Sequence, residues 1–418
     1  MVIIDVQWRT YRLPLRSVFT TAHGAITARE GAIVEIITDQ GISGIGEIAP
    51  LPEFAVAGGI LHEALTLLPV LTAHLRGKTL REALDLLRSN VWPGLKDTAG
   101  EWPTYGERDD AASRRGRFTV PTADLSASVF TNSPAASFKP GPATCGLETA
   151  LLDALGKAEG CGISTLLCAT HPGPRQRVQV NATVGARATE AAVTCAQEAI
   201  AAGFACVKLK VGWEHESQAE IERVAAVREA IGPNAHLRLD ANEAWDLEQA
   251  IALLSNCAQF DIQYVEQPIK ACDLVGMRTL RQAVPVPVAA DEAVYSLQSA
   301  RDVLDSEAAD ILVVKPQLAG GLRAGQQIIQ EAAQRGVRCV VTSTIEAGIG
   351  LVAALHLAAA SPAITLECGL ATLHLLVDDL LMEDLPIRNG YLTVPTGPGL
   401  GILLDDEALE RYGLRCPI

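Results

Sequence analysis

The sequence predicts an α/β fold, a modified TIM-type (β/α) barrel joined to an α+β domain built from the N-terminal segment and the C-terminal tail. Three observations carry this prediction. From about Val178, apolar runs alternate with amphipathic stretches at roughly 20 to 30 residues per unit, the repeat of a parallel βα array. These runs lack two-residue alternation, as strands buried on both faces do. Five of them, CVKLKVG, HLRLDAN, YVEQP, VAADEA and ILVVKP, carry a polar residue at the C-terminal end: Lys210, Asp240, Glu266, Asp291 and Lys315. In a parallel barrel all such ends open on one face, so the five should converge.

Residues 1–50 read as a three-stranded antiparallel meander, IIDVQWRTYRL, GAIVEIITDQ and GISGIGEIAP, with a tight turn at Asp39-Gln40-Gly41. Helical periodicity follows from Ala57 to about Arg88. Residues 93–140 are rich in Ser, Thr, Pro, Gly and charge and read as a long loop or insertion. ATCGLETALLDALGKAEG returns to a helix, and His171-Pro172-Gly173-Pro174 reads as a linker. The barrel strands are then VQVNATVG, ACVKLKVG, HLRLDAN, IQYVEQP, VPVAADEA, DILVVKP and RCVVTST, with AITLECG as a weaker eighth. A doubly wound open sheet is the rival, but NATVGARA lacks the glycine-rich phosphate turn that such sheets carry after their first strand. The expected organisation is an α+β domain at 1–175, a barrel at 176–370 and a segment at 371–418 that packs back on the first domain.

The bulk numbers exclude some partners. The chain has 418 residues, 49% of them hydrophobic, and a formal net charge of -15 without a basic run, so nucleic acid and anionic membrane are poor partners. The ten cysteines form no CxxC pair, and Cys206 and Cys339 sit inside apolar runs, which suits a reducing cytoplasm. The N-terminus alternates like a strand and does not read as a signal peptide, and no apolar stretch has membrane-spanning length. Assembly into a homo-oligomer is left open.

Asp240, Glu266 and Asp291 are 26 and 25 residues apart, one βα unit each. Oxygen ligands from three adjacent strands suit Mg²⁺, with Mn²⁺ as a substitute; such an ion would bind a small-molecule carboxylate and stabilise the dianion left when its α-proton departs. Lys210 and Lys315 flank the ligand strands on opposite sides, where one serves as base and the other as electrostatic partner or second acid/base. A single Asp or Lys at a strand end is ordinarily a helix cap or a rim salt bridge. Five on consecutive strands, two of them lysines in apolar runs, argue against that reading. Lys208 shares a strand face with Lys210, and Arg238 precedes Asp240 by the same two residues; each is either a salt-bridge partner or part of the site.

In combination, KLK at 208–210, DAN at 240–242, EQP at 266–268, DE at 291–292 and KP at 315–316 resemble the enolase superfamily, specifically its muconate-lactonizing-enzyme-like subgroup. The resemblance covers nearly the whole chain. It implies that the N-terminal domain caps the barrel, with GEIAPLPEF at 46–54 and TAHGAITAREG at 21–31 as loops closing over substrate. Within the subgroup, GEIAPLP, TSTIEAGIG at 342–350 and ECGLATLHLLVDDL at 367–380 are most similar to the o-succinylbenzoate synthases of menaquinone and phylloquinone synthesis. That likeness implies dehydration of 2-succinyl-6-hydroxy-2,4-cyclohexadiene-1-carboxylate (SHCHC) to 2-succinylbenzoate. Lys210 would take the α-proton and protonate the departing hydroxyl, Lys315 would stabilise the enediolate, and the three carboxylates would hold Mg²⁺. Asn242 and Gln267 would support that shell or simply bond the strand ends. Ser343 and Glu346 would contact substrate or cap the following helix.

The same five residues serve an N-succinylamino acid racemase or a dipeptide epimerase. Dipeptide epimerases of the subgroup typically carry Asp-x-Asp near the eighth strand, where this chain reads TLECGLATL. A non-catalytic binding barrel would be expected to have lost a ligand or a lysine, and none is lost. Residues 93–140 and the sparse serines of TSTIEAGIG depart from the subgroup's pattern.

Overall fold

The computed structural model describes residues 1–21, 24–50, 61–89, 141–168, 173–213 and 217–414. The expected insertion at 93–140 and residues 51–54 of the expected closing loop lie outside these. The N-terminal sheet has the order β1 (Ile3–Thr21), β2 (Gly24–Thr38), β3 (Ser43–Ile48), all antiparallel. The second expected closing loop, 21–31, differs from expectation over its described residues: β2 begins at Gly24, and Phe19 pairs with Ile26 and Thr20 with Ala25 across the hairpin. Its β-branched Ile26 and Thr27 favour the ladder over an open loop.

Helix α3 (Gly141–Glu159) packs on this sheet, α1 (Leu61–Leu75) and α2 (Leu80–Ser89) pack on α3, and a short α4 (Ile163–Leu167) precedes the expected linker. The glycines of SGIG in β3 are explained by α3. A Cβ on Gly46 would stand 2.0 Å from the Gly146 carbonyl, so helix and strand backbones touch only because neither residue has a side chain.

The parallel sheet runs β5 (Ala182–Val184), β6 (Cys206–Lys210), β7 (His236–Asp240), β8 (Ile262–Glu266), β9 (Val288–Ala290), β10 (Ile311–Val314), β11 (Arg338–Val341) in that spatial order. Between them lie α5 (Thr189–Ala201), α6 (Ser217–Ile231), α7 (Leu247–Cys257), α8 (Leu274–Ala283), α9 (Leu297–Asp305), α10 (Pro316–Ala319) and α11 (Leu322–Gln334), and α12 (Gly348–Ala360) follows β11. The weak eighth strand closes the barrel by single parallel bridges, Val180 to Cys368 on one side and Thr342 to Gly369 on the other. VQVNATVG does not form one continuous barrel strand. Its first residues, β4 (Arg177–Gln179), leave the barrel to pair antiparallel with β12 (Tyr391–Thr393) of the tail. The tail also reaches the N-terminal domain: Val377 N donates to Pro14 O, Leu414 N to Thr10 O, and Arg9 pairs with Asp406 of α13 (Asp406–Tyr412). Among the described residues no helix is long and apolar enough to cross a membrane.

Arg238 takes the structural role. It lies wholly buried at the barrel floor, stacked over Tyr264, and bonds Gln263, Asn181 and both the carboxylate and carbonyl of Glu367. His356 of α12 is another buried polar joint. Its Nδ1 accepts from Ser164 N and its Nε2 faces Leu400 O, and burial holds its pKa down at about 4. An unfolded imidazole takes up its proton near 6.5, so acid favours the unfolded chain between 6.5 and 4. Stability should therefore fall by up to about 3 kcal/mol as pH drops through that window. His356→Gln should flatten this part of the profile of melting temperature against pH; an unchanged slope would contradict the assignment.

Candidate active site

Register builds the site. Lys210 pairs with Asp240 and Asp240 with Glu266, so three adjacent strands deliver their terminal polar residues at one level. One step deeper on the same inner face stand Lys208, Arg238 and Tyr264. Asp291 and Lys315 follow β9 and β10 directly, and inner-face Ala289, Ile311 and Val313 pack beneath them with Tyr264 and Val340. All five expected residues come together, as do Lys208, Asn242 and Gln267.

The contacts form two groups. Lys210 Nζ donates to Asp240 Oδ2 at 2.7 Å and to Asn242 Oδ1 at 2.6 Å. Lys208 Nζ bridges Asp240 (3.0 Å) and Glu266 (2.8 Å). Lys315 Nζ lies 2.6 Å from the Asp291 carboxylate. Asn242 passes the chain on, its Nδ2 donating to Glu292 Oε1 at 2.9 Å. Gln267 is fully buried and fixes the neighbouring strand end: its Oε1 accepts from Asp291 N and Ala293 N while its Nε2 donates to Ile269 O. Asn242 (φ 43°) and Gln267 (φ 36°) both hold left-handed backbone, a cost that such sites carry where the chain must turn sharply to aim a side chain.

Burial opposes every charge here, and the outcome depends on the neighbours. On Asp240 the two ammonium groups of Lys208 and Lys210 win, and its carboxyl is held well below the ordinary range. On Glu266 burial and the Asp240 charge win over Lys208, and its pKa rises to about 8. Asp291 is likewise raised, by burial first. Burial disfavours the ammonium of Lys208 and Lys315, but the carboxylates outweigh it and both lie above the ordinary lysine value.

The donor set fits a hard divalent ion. Glu266 Oε2 is buried and accepts no hydrogen bond, and Asp291 Oδ1 has only the poorly aligned Lys315 ammonium beside it. Among the described residues no three ligating side chains form a ready-made chelate, since each of the three carboxylates is drawn toward a lysine.

Ser343 and Glu346 lie on the loop after β11 and bond each other instead of the lysines, with Ser343 Oγ donating to Glu346 and accepting from Thr372 Oγ1. Two further positions escaped the sequence reading. Thr342 extends the inner face of β11 beyond Val340, and its Oγ1 is buried without a partner. Thr183 pairs in register with Lys208 on β5. Counting back or forward by two from an inner-face residue would have found both.

The chain matches the family model "Enolase C-terminal domain-like" over residues 191–408 and "MenC, N-terminal domain" over 5–71. It is 40% identical to an o-succinylbenzoate synthase of Thermobifida fusca over 225 residues, 53% of this chain and 68% of that one. It is 28% identical to an L-Ala-D/L-Glu epimerase of Bacillus subtilis over 406 residues, 96% and 97% of the two chains. A substrate-liganded structure of the Bacillus subtilis epimerase superposes with a TM-score of 0.79 at 26% identity, covering 96% of this chain and 99% of that one. Muconate lactonizing enzyme from Pseudomonas fluorescens shares the fold with a TM-score of 0.82 at 24% identity, covering 99% of both chains. The strand-end carboxylates and lysines, the capped barrel and these matches together make the chain an enzyme of the enolase superfamily, in its muconate-lactonizing-enzyme-like subgroup.

Proposed function

We propose that the protein dehydrates SHCHC to 2-succinylbenzoate in the cytoplasm, with Mg²⁺ as cofactor. The observation that carries this reading is the 40% identity to the Thermobifida fusca synthase, accompanied by the N-terminal match at 5–71. Asp240, Glu266 and Asp291 would hold Mg²⁺, which supplies positive charge to the substrate carboxylate and so acidifies its α-carbon. Lys210 Nζ takes the α-proton as the C–H bond breaks. The electron pair moves into the carboxylate, where the Lys315 ammonium faces the added negative charge. It then returns to form the ring double bond as the hydroxyl leaves, protonated by Lys210, as water. Asn242 and Asp240 hold Lys210 Nζ in place for both proton transfers.

Racemisation of N-succinylamino acids or epimerisation of dipeptides is the second reading, and the near-complete coverage of the epimerase favours it. Against a dipeptide stands the chemistry of the eighth strand. Leu366 packs on the apolar barrel interior, Cys368 is buried, and the acid between them, Glu367, is turned to Arg238 and His236. No carboxylate there faces a substrate ammonium. Purified protein given Mg²⁺ should consume SHCHC and form 2-succinylbenzoate well above the buffer rate; a rate equal to buffer would overturn the proposal.

A further inference from the structure

Five of the helices that follow the barrel strands divide into two kinds. α7, α8 and α9 cap their own N-termini with Asp246, Asp273 and Ser296. α11 and α12 have no cap of their own; their N-cap residues are Gly321 and Ala347. Both are capped instead by buried carboxylates of the N-terminal domain. Glu148 of α3 accepts from Arg323 N at the start of α11. Glu47 of β3 accepts from Ala347 N (2.8 Å) and Gly350 N (2.7 Å) at the start of α12. These two helices follow Lys315 and the Ser343 loop.

The Ser343 loop is held further. Ile345 has φ 64°, a left-handed conformation that a β-branched residue adopts only under constraint. Arg29 of β2, itself buried, donates from Nε to Ile345 O at 3.1 Å and from Nη2 to Pro50 O at 2.6 Å. Thr344 Oγ1 donates to Ala49 O across the same seam. Tyr11 of β1 donates its hydroxyl to Glu47 Oε1, and it can cross the sheet to do so because its strand partner is Gly31, where a Cβ would stand 2.4 Å from the Tyr11 oxygen. Every bond to Glu47 is one it accepts, on both oxygens, which calls for the carboxylate; burial and Glu346 nearby oppose it and place its pKa at about 7.

We propose that Glu47 and Arg29 of the capping domain are positioning residues for the reaction: they hold the strained 343–350 loop and the N-terminus of α12 in the one arrangement that presents this loop to substrate. The functional half rests on the proposed function; the structural half does not. A domain that only covered the barrel would need neither a fixed carboxylate on two loop amides nor a guanidinium on a strained carbonyl.

Glu47→Gln tests it, because an amide offers one acceptor oxygen and turns an NH₂ toward a backbone N–H. In hydrogen exchange on the full chain, amides at 344–350 should exchange at least about 10-fold faster while β6 to β10 keep their protection. Turnover efficiency should fall roughly 10- to 100-fold, mainly through KM, with Mg²⁺ affinity unchanged. Tyr11→Phe, which removes one donor and leaves the carboxylate, should show the same pattern more weakly and serves if Glu47→Gln does not fold. Wild-type protection at 344–350, protection lost evenly across the barrel, or a loosened loop with wild-type kinetics would each overturn the proposal. If the wild-type protein turns over no SHCHC, the proposed function fails while the exchange result still decides the coupling.

Discussion

Lys210→Ala should lower turnover by roughly 10⁴-fold, the upper range for loss of a single acid/base group. Lys210 would serve twice, as base at the α-carbon and as acid at the leaving oxygen, so its removal disables both halves. Lys208 cannot stand in, because it lies one step deeper and is tied to Asp240 and Glu266. The barrel should survive, since apolar residues of β6 such as Val207 and Leu209 stay buried in the variant. The check is kcat of the folded variant beside that of Lys315→Ala. A Lys210→Ala rate within 10-fold of wild type would refute the assignment, and abolition by Lys315→Ala alone would move the base to the opposite face.

Asp291→Asn should weaken Mg²⁺ binding by at least about 100-fold, more than the loss usually seen on removing a partner behind a ligand. The substitution takes one charge from the proposed ligand set and leaves Lys315 without the carboxylate it lies against. The strand end should hold its shape, because Gln267 grips the Asp291 backbone amide and not its side chain. Titration calorimetry with Mg²⁺ on both proteins is the check. Unchanged affinity would argue against Asp291 as a ligand.

The barrel and the five residues at its strand ends could be read from sequence for one physical reason. Strands buried on both faces are unbroken apolar runs, so a Lys or Asp at their ends stands out, and a parallel array has only one face on which such ends can meet. Asn242 and Gln267 were visible as neighbours of ligands, but that one bonds Lys210 and the other fixes the Asp291 amide depends on left-handed turns that no periodicity signals. Lys208 and Arg238 looked alike in sequence, each two residues before a site residue. Lys208 reaches up to two of the carboxylates, whereas Arg238 is claimed by Glu367 from the barrel floor, a contact across 129 residues. Glu47 was read only as part of a closing loop. Its partners on α12 lie about 300 residues away, at a helix whose own sequence gives no cap. Strand order and local pattern are properties of a segment; which distant domain satisfies a helix terminus is not.

The proposed reaction is elimination from an SHCHC-type carboxylate in preference to racemisation. The most direct measurement is kcat/KM for SHCHC dehydration against kcat/KM for racemisation of N-succinylamino acids, on one Mg²⁺-loaded preparation. SHCHC should be favoured by at least about 10-fold, and both activities should vanish when Mg²⁺ is chelated. No turnover of SHCHC beside rapid racemisation would contradict it.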